Sequence, residues 1–248
     1  MSSFATPTGT RRYADRHGAL QDHWFRTLGR TNLTVSAAGF GGYRVQDGEA
    51  AHREALVEAL SGGCNLIDTS TNYGGGGSEQ LVGNVLRLMI KDRELRRDEV
   101  VVVTKAGYIQ GETLRLVRQA ADHGRPFPGV VEYADDCWHC IHPRFLEDQL
   151  THSLTRLGLE AVDVLLLHNP EYFLLDAERR HPDTRDATRE AYYKRLAQAL
   201  DWLEREVKKG RIRWYGISSN GFPLDEAAPS HTTLERVLAQ RDLDGGHF

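Results

Sequence analysis

Apolar residues follow two rhythms along this chain, and the two alternate. Val100-Val101-Val102-Val103-Thr104 is an uninterrupted β-branched run, and residues 162–168 are apolar apart from Asp163 and the terminal His168, so both read as buried strands. Shorter apolar runs place further strands at 35–42, 65–71 and 212–220. Between them apolar residues recur at helical spacing. Ala55, Leu56 and Leu60 mark a helix over 49–60, and Leu81, Val82, Val85 and Leu88 one over 78–90. Residues 146–157, 187–209 and 232–243 give three more helices, with Asp186 as N-cap of the second of these. Residues 25–33 alternate around Gly29 and Asn32, which predicts a β-hairpin. The polar residues 1–24 read as an extended arm.

Near-continuous apolar strands between amphipathic helices imply a parallel sheet covered by helices, α/β in class. The candidates are a closed (β/α)8 barrel and an open doubly wound sheet. Gly39-Phe40-Gly41-Gly42 lacks the G-x-G-x-x-G spacing of a dinucleotide turn, and no Lys-Ser/Thr follows Gly74-Gly75-Gly76-Gly77 as a P-loop requires. The expectation is therefore the TIM-barrel type with an N-terminal β-hairpin. A barrel uses roughly 30 residues per βα unit. The strands at 35–42, 65–71, 100–106, 162–169 and 212–220 make about five of eight units, so the barrel is expected to be incomplete. The layout is an arm at 1–24 and a partial barrel domain at 25–248. Residues 107–143 form an excursion between the third strand and its helix, expected to lie across the strand C-terminal rim without a core of its own.

Composition changes this picture little. A net charge of -4 with scattered basic residues points away from nucleic acid. No run reaches the ~18 apolar residues that span a bilayer. Three cysteines make no disulfide framework, and residues 1–18 are polar without an apolar core of the signal-peptide kind, so the expected compartment is the cytoplasm.

The chemistry stands out at strand ends, where barrels carry their catalytic groups. Asp68 ends the second strand, Lys105 the third and His168 the fourth, while Tyr73 lies in the loop beyond Asp68. Singly, each reads most simply as a capping, solvated or core residue. Together they are an acid, a cation, a phenol and an imidazole at one rim. That set suits carbonyl reduction. A phenol, unperturbed near ~10, becomes a better proton donor beside an ammonium, and an imidazole can hold a carbonyl oxygen. Side chains supply no hydride, so a cofactor must.

At these residues a resemblance appears. Asn65-Leu66-Ile67-Asp68-Thr69-Ser70-Thr71-Asn72-Tyr73-Gly74 followed by Ser78-Glu79-Gln80-Leu81-Val82-Gly83 resembles the first signature of the aldo-keto reductase superfamily. Thr104-Lys105, Leu166-Leu167-His168 and Gly216-Ile217-Ser218-Ser219-Asn220 match later landmarks in order, and Leu28-Gly29-Arg30-Thr31 with Val35-Ser36 resembles the N-terminal hairpin. The resemblance implies a (β/α)8 oxidoreductase that reduces an aldehyde or ketone by hydride transfer from NADPH. It gives catalytic places to Asp68, Tyr73 (the proton donor), Lys105 and His168. Gly42, Tyr43, Asp68, Asn169, Ser218, Ser219 and Asn220 fall where the family contacts cofactor or substrate.

The family's sixth to eighth units, which hold much of the cofactor, have no counterpart. The expectations are then weak or no NADPH binding and negligible carbonyl reduction by this chain alone, and self-association through exposed sheet edges. The alternative reading is a catalytically inactive fragment or a regulatory binding module on the same scaffold. In the excursion, Cys137-x-x-Cys140 with His139 and His142 raises zinc or a redox pair, but the expectation is no metal and a loop in which Trp138 or Tyr108 shapes the substrate pocket. Cys64 is expected to be buried and inert.

Overall fold

The computed structural model describes residues 3–18, 23–240 and 247–248. Among them the chain runs α1 (Pro7–Arg16), β1 (Phe25–Thr27), β2 (Thr34–Ser36), β3 (Phe40–Gly41), α2 (Ala50–Ser61), β4 (Leu66–Asp68), α3 (Gly77–Lys91) and β5 (Val101–Ala106). There follow β6 (Tyr108–Ile109), α4 (Gly111–Asp122), β7 (Val131–Ala134), β8 (Cys137–His139), α5 (Pro143–Leu157), β9 (Val162–His168), α6 (Tyr172–Arg180), α7 (Arg185–Lys208), β10 (Ile212–Ser218) and α8 (Leu234–Ala239). Residues group into two compact units, Met1–Thr104 with His152–Val164, and Lys105–Thr151 with Leu165–Phe248.

In the first unit the expected hairpin forms. β1 pairs antiparallel with β2, Phe25 opposite Ser36 and Thr27 opposite Thr34. Its turn passes through Gly29 and Asn32 at φ 47° and 59°, the left-handed region that Gly and Asn tolerate. The single strand expected at 35–42 is instead two. The Ser36 hydroxyl donates to the Ala38 carbonyl at 2.7 Å, which closes a turn between β2 and β3. β3, β4 and β5 are parallel, with Phe40 opposite Ile67 and Asp68 opposite Val103, and the strand order there is β9-β5-β4-β3. Asn65 ties the hairpin to this sheet: its side chain accepts from Ser36 N and donates to the Thr34 and Glu99 carbonyls. Asp163, the one polar residue of β9 ahead of His168, is buried and accepts from Ala5 N, Val102 N and Arg97.

The extended arm is corrected, because residues 7–16 are helical. Thr6 caps α1 by accepting from Gly9 N at 2.9 Å and Pro7 opens it, a favourable start that needs no apolar stripe. The helix is held by polar contacts: Arg12 and Arg16 reach the buried Glu99 at 2.8 Å, and the Tyr13 hydroxyl donates to the Leu60 carbonyl. The arm's residues 1–2 and 19–22 lie outside the described residues.

In the second unit the strand order is β10-β9-β5. The excursion is more structured than expected. β6, β8 and β7 form an antiparallel sheet, with Tyr108 opposite His139, and α4 lies between β6 and β7 in sequence. Ile109, Leu114, Val117 and Cys140 form a small cluster with Phe145 of α5, so the excursion's apolar core is shared with the following helix and is not its own. Two helix readings also change. α7 starts at Arg185 behind Thr184, not at an Asp186 cap; Asp186 lies in the first turn, where its charge suits the helix dipole. α6 was not foreseen. The helix expected at 232–243 is seen as α8, and residues 241–243 lie outside the described residues.

Candidate active site

In the first unit, Asp68 is the last residue of β4 and its carbonyl accepts from Gly42 N at 2.8 Å. A side chain at 42 would crowd this turn, since a Cβ there would lie 2.4 Å from Ser78 Oγ and 3.0 Å from the Asp68 carbonyl. Ser78 in turn bonds Thr69 through their hydroxyls at 2.8 Å. Beyond Asp68 the chain turns tightly. Tyr73 N donates to the Ser70 carbonyl, and Gly74, Gly75 and Gly76 all have positive φ, which the glycine run permits. The Tyr73 ring meets Tyr43 edge-to-face at 5.2 Å, and Tyr43 is 63% exposed. Gly42, Tyr43, Asp68 and Tyr73, all read as site residues from sequence, thus gather in one region. The Thr71 hydroxyl within this loop is buried with no hydrogen-bond partner. Glu79 opens α3 behind it, buried, taking hydrogen bonds from Thr104 at 2.5 Å and Arg156 at 2.7 Å.

The second unit carries Lys105 and His168. Lys105 is the fifth residue of β5 and only 5% exposed; His168 ends β9 and is 7% exposed. Burial, then the Lys105 charge, then His139 hold the His168 pKa down at about 3. His168 is therefore a neutral imidazole across the physiological range, able to donate an N–H without being an acid. After it, Asn169 takes φ 48°, its N–H donates to the Ser218 carbonyl at 2.7 Å, and its side-chain amide donates to the Tyr108 hydroxyl at 2.9 Å. The loop after β10 is fixed by Glu171, whose carboxylate accepts from the Ser219 hydroxyl and from Asn220 N, both at 2.8 Å. So Asn169, Ser218, Ser219 and Asn220 gather in this unit, as Lys105 and His168 do. The two catalytic pairs read from sequence belong to different units.

Sequence reasoning missed Glu171, His139 and Tyr172. His139 stands out only as part of the Cys137–Cys140 motif, and Glu171, an acid just past the apolar β9 run, is the other with a readable signal. His139 is fully buried, which lowers its pKa to about 4, and bonds the His168 carbonyl at 2.7 Å. Tyr108 packs edge-to-face on His168 at 4.8 Å, so of the two aromatics named for the pocket it is the one beside the site. Trp138 packs on the excursion core with Arg118 over its ring at 4.9 Å. Cys137 opens β8, and Cys140 follows its end. Three residues of extended chain separate Cα atoms by about 10 Å, beyond disulfide reach. Burial raises both thiols, Cys140 to about 11, so neither is a ready thiolate. Among the described residues no group of three or more His, Cys, Asp or Glu could hold a metal, and no helix is long and apolar enough to cross a membrane.

A model of the aldo/keto reductase family matches residues 37–236. The chain belongs to the aldo/keto reductase family. This aldo/keto reductase is 28% identical over 206 residues to L-galactose dehydrogenase of Arabidopsis thaliana, covering 81% of this chain and 49% of that one. It is 28% identical over 149 residues to the NADH-specific methylglyoxal reductase of Escherichia coli, covering 57% and 40%. The chain thus spans about half the length of the curated relatives it matches. In structure it resembles the holo form of an aldo-keto reductase from Bacillus halodurans, with TM-score 0.54 and 24% identity over 79% of this chain and 50% of that one. That likeness supports the α/β barrel-type fold expected from the strand and helix pattern.

Proposed function

We propose that this aldo/keto reductase reduces an aldehyde or ketone by hydride transfer from NADPH, with Tyr73 as proton donor. The observation that carries the reading is the buried pair of Lys105 and His168, where a cation and a neutral imidazole at two strand ends sense each other electrostatically. The neutral His168 donates an N–H to the substrate carbonyl and orients it. Tyr73 gives its phenolic proton to the substrate oxygen, and Lys105 belongs to the same proposed catalytic set. Asp68, at the end of β4, is the fourth member of the proposed catalytic set.

The donor set fits a nicotinamide carboxamide. That group is uncharged, and Asn169 and Ser218 are joined through backbone at 2.7 Å, with neutral amide and hydroxyl side chains suited to it. Ser219 and Asn220 extend the set, and Gly42 and Tyr43 complete the proposed contacts. The dinucleotide supplies the hydride when bound. The compartment proposed is the cytoplasm, and the partner a small carbonyl compound.

The experiment is an assay of the purified protein with NADPH and NADH against methylglyoxal and a range of aldehydes, and with NADP⁺ against L-galactose. Nucleotide-dependent turnover abolished by Lys105→Met supports the reading. Absence of turnover with every carbonyl would instead support the inactive, binding-module reading. Turnover unaffected by Lys105→Met would assign the chemistry elsewhere.

A further inference from the structure

The peptide that joins His168 to Asn169 has both of its hydrogen-bonding groups occupied. The Asn169 N–H donates to the Ser218 carbonyl at 2.7 Å. The His168 carbonyl meets His139 Nε2, also at 2.7 Å. A carbonyl only accepts, so Nε2 carries the proton, which fixes the His139 tautomer. His139 is 1% exposed, and burial keeps it neutral with a pKa of about 4. Its ring stacks on Tyr172 at 5.5 Å and 12° and takes the edge of Tyr108 at 5.7 Å.

The backbone leaves room for this bond at one place. Gly107 precedes Tyr108 at φ 154°, and a Cβ there would lie 2.7 Å from both His139 Nε2 and the His168 carbonyl. Glycine lets the chain pass beside the bond without wedging it apart. Tyr108, placed opposite His139 in the β6–β8 ladder, then covers the His168 ring and accepts from the Asn169 side chain. Two residues of the excursion thereby bracket the end of β9 from main chain and side chain.

We infer that His139 is a positioning residue for His168, acting through the 168–169 peptide to aim the imidazole and the Asn169 amide together. The inference rests on the reading of His168 as the group that binds the substrate carbonyl. The excursion is then part of the catalytic apparatus: it holds the end of β9 rigid where the carbonyl must be met. Such placement matters because a shift of about 1 Å in a positioned group can cost roughly a hundredfold in rate.

Two substitutions separate positioning from packing. His139→Gln puts an amide N–H near the Nε2 position, whereas His139→Phe keeps a planar ring against Tyr172 and removes the donor. The measurements are the ¹⁵N resonance of the Asn169 amide, which reports hydrogen bonding at the preceding carbonyl, and kcat and KM for carbonyl reduction. The expected result is a displaced Asn169 resonance in His139→Phe, with kcat lowered about ten- to a hundredfold. His139→Gln should restore both. The reverse order, Phe tolerated and Gln damaging, means the ring only fills space and overturns the inference; so does an unmoved Asn169 resonance in His139→Phe. Should His139→Phe not fold, Gly107→Ala intrudes on the same bond and is read the same way. A wild-type protein without carbonyl reduction would sink the functional reading, and the Asn169 resonance would still decide the role of His139.

Discussion

The Ser219 hydroxyl donates to Glu171 Oε2 at 2.8 Å, so an acid at the N-cap of α6 sets the loop that follows β10. The other carboxylate oxygen takes the Asn220 N–H, and both of those residues are proposed cofactor contacts. Removing the acceptor leaves two donors to find new partners. Glu171→Ala should therefore weaken NADPH binding by about tenfold, the equivalent of one lost buried hydrogen bond, read by fluorescence titration. Equal affinity in variant and wild type would show that the loop holds itself.

Glu171 also carries a pH signature. Burial raises its pKa above the usual 4.5, against the hydrogen bonds that favour its charged form. An acid whose folded pKa is raised binds its proton more tightly folded than unfolded, so its contribution to stability falls as pH rises from 4.5 towards the folded value. Glu171→Gln abolishes that titration. Urea denaturation from pH 4 to 7 should show wild-type stability falling relative to Glu171→Gln over that interval, and a constant difference would contradict the shift.

Glu99 runs the opposite way. Burial pushes its carboxyl up, but Arg16, Arg12 and the Arg96 N–H outweigh burial and hold it below 4.5. A depressed folded pKa gives stability that is present above 4.5 and lost as pH falls through the folded value. Glu99→Gln, which weakens the tie to α1, should cost about 1–3 kcal/mol at pH 7, and the gap should close in acid. Denaturation midpoints at pH 7 and pH 3 check this.

Gly42 and Gly41 form a matched pair for the Asp68 turn. A Cβ at 42 meets Ser78 Oγ at 2.4 Å, whereas one at 41 meets nothing within 4 Å. Gly42→Ala should destabilise by about 1–3 kcal/mol through overpacking, and Gly41→Ala should fall well short of that. Thermal melts of both variants measure the difference; equal losses would mean the turn yields.

The strands that carry the site were legible because they are buried on both faces. The valines of β5 and the run ahead of His168 leave Lys105 and His168 conspicuous at their ends. Asp68 stood out for the same reason. α1 was missed because its anchoring is polar, through Arg12, Arg16 and Tyr13, although Thr6-Pro7 is a readable helix start. β6, β7 and β8 are two to four residues long, too short for alternation to register, and exist through pairings that sequence order does not announce. Glu171 and His139 act on backbone groups far along the chain, and a main-chain partner leaves no mark on residue type.

The most direct test of the account is the turnover of Tyr73→Phe beside wild type, with NADPH titrated into both. Phenylalanine keeps a ring to meet Tyr43 and removes only the hydroxyl. The account predicts that kcat for carbonyl reduction falls about 10²–10⁴-fold, the span of general acid catalysis, while NADPH affinity is unchanged. A Tyr73→Phe protein that reduces the carbonyl at the wild-type rate would contradict it.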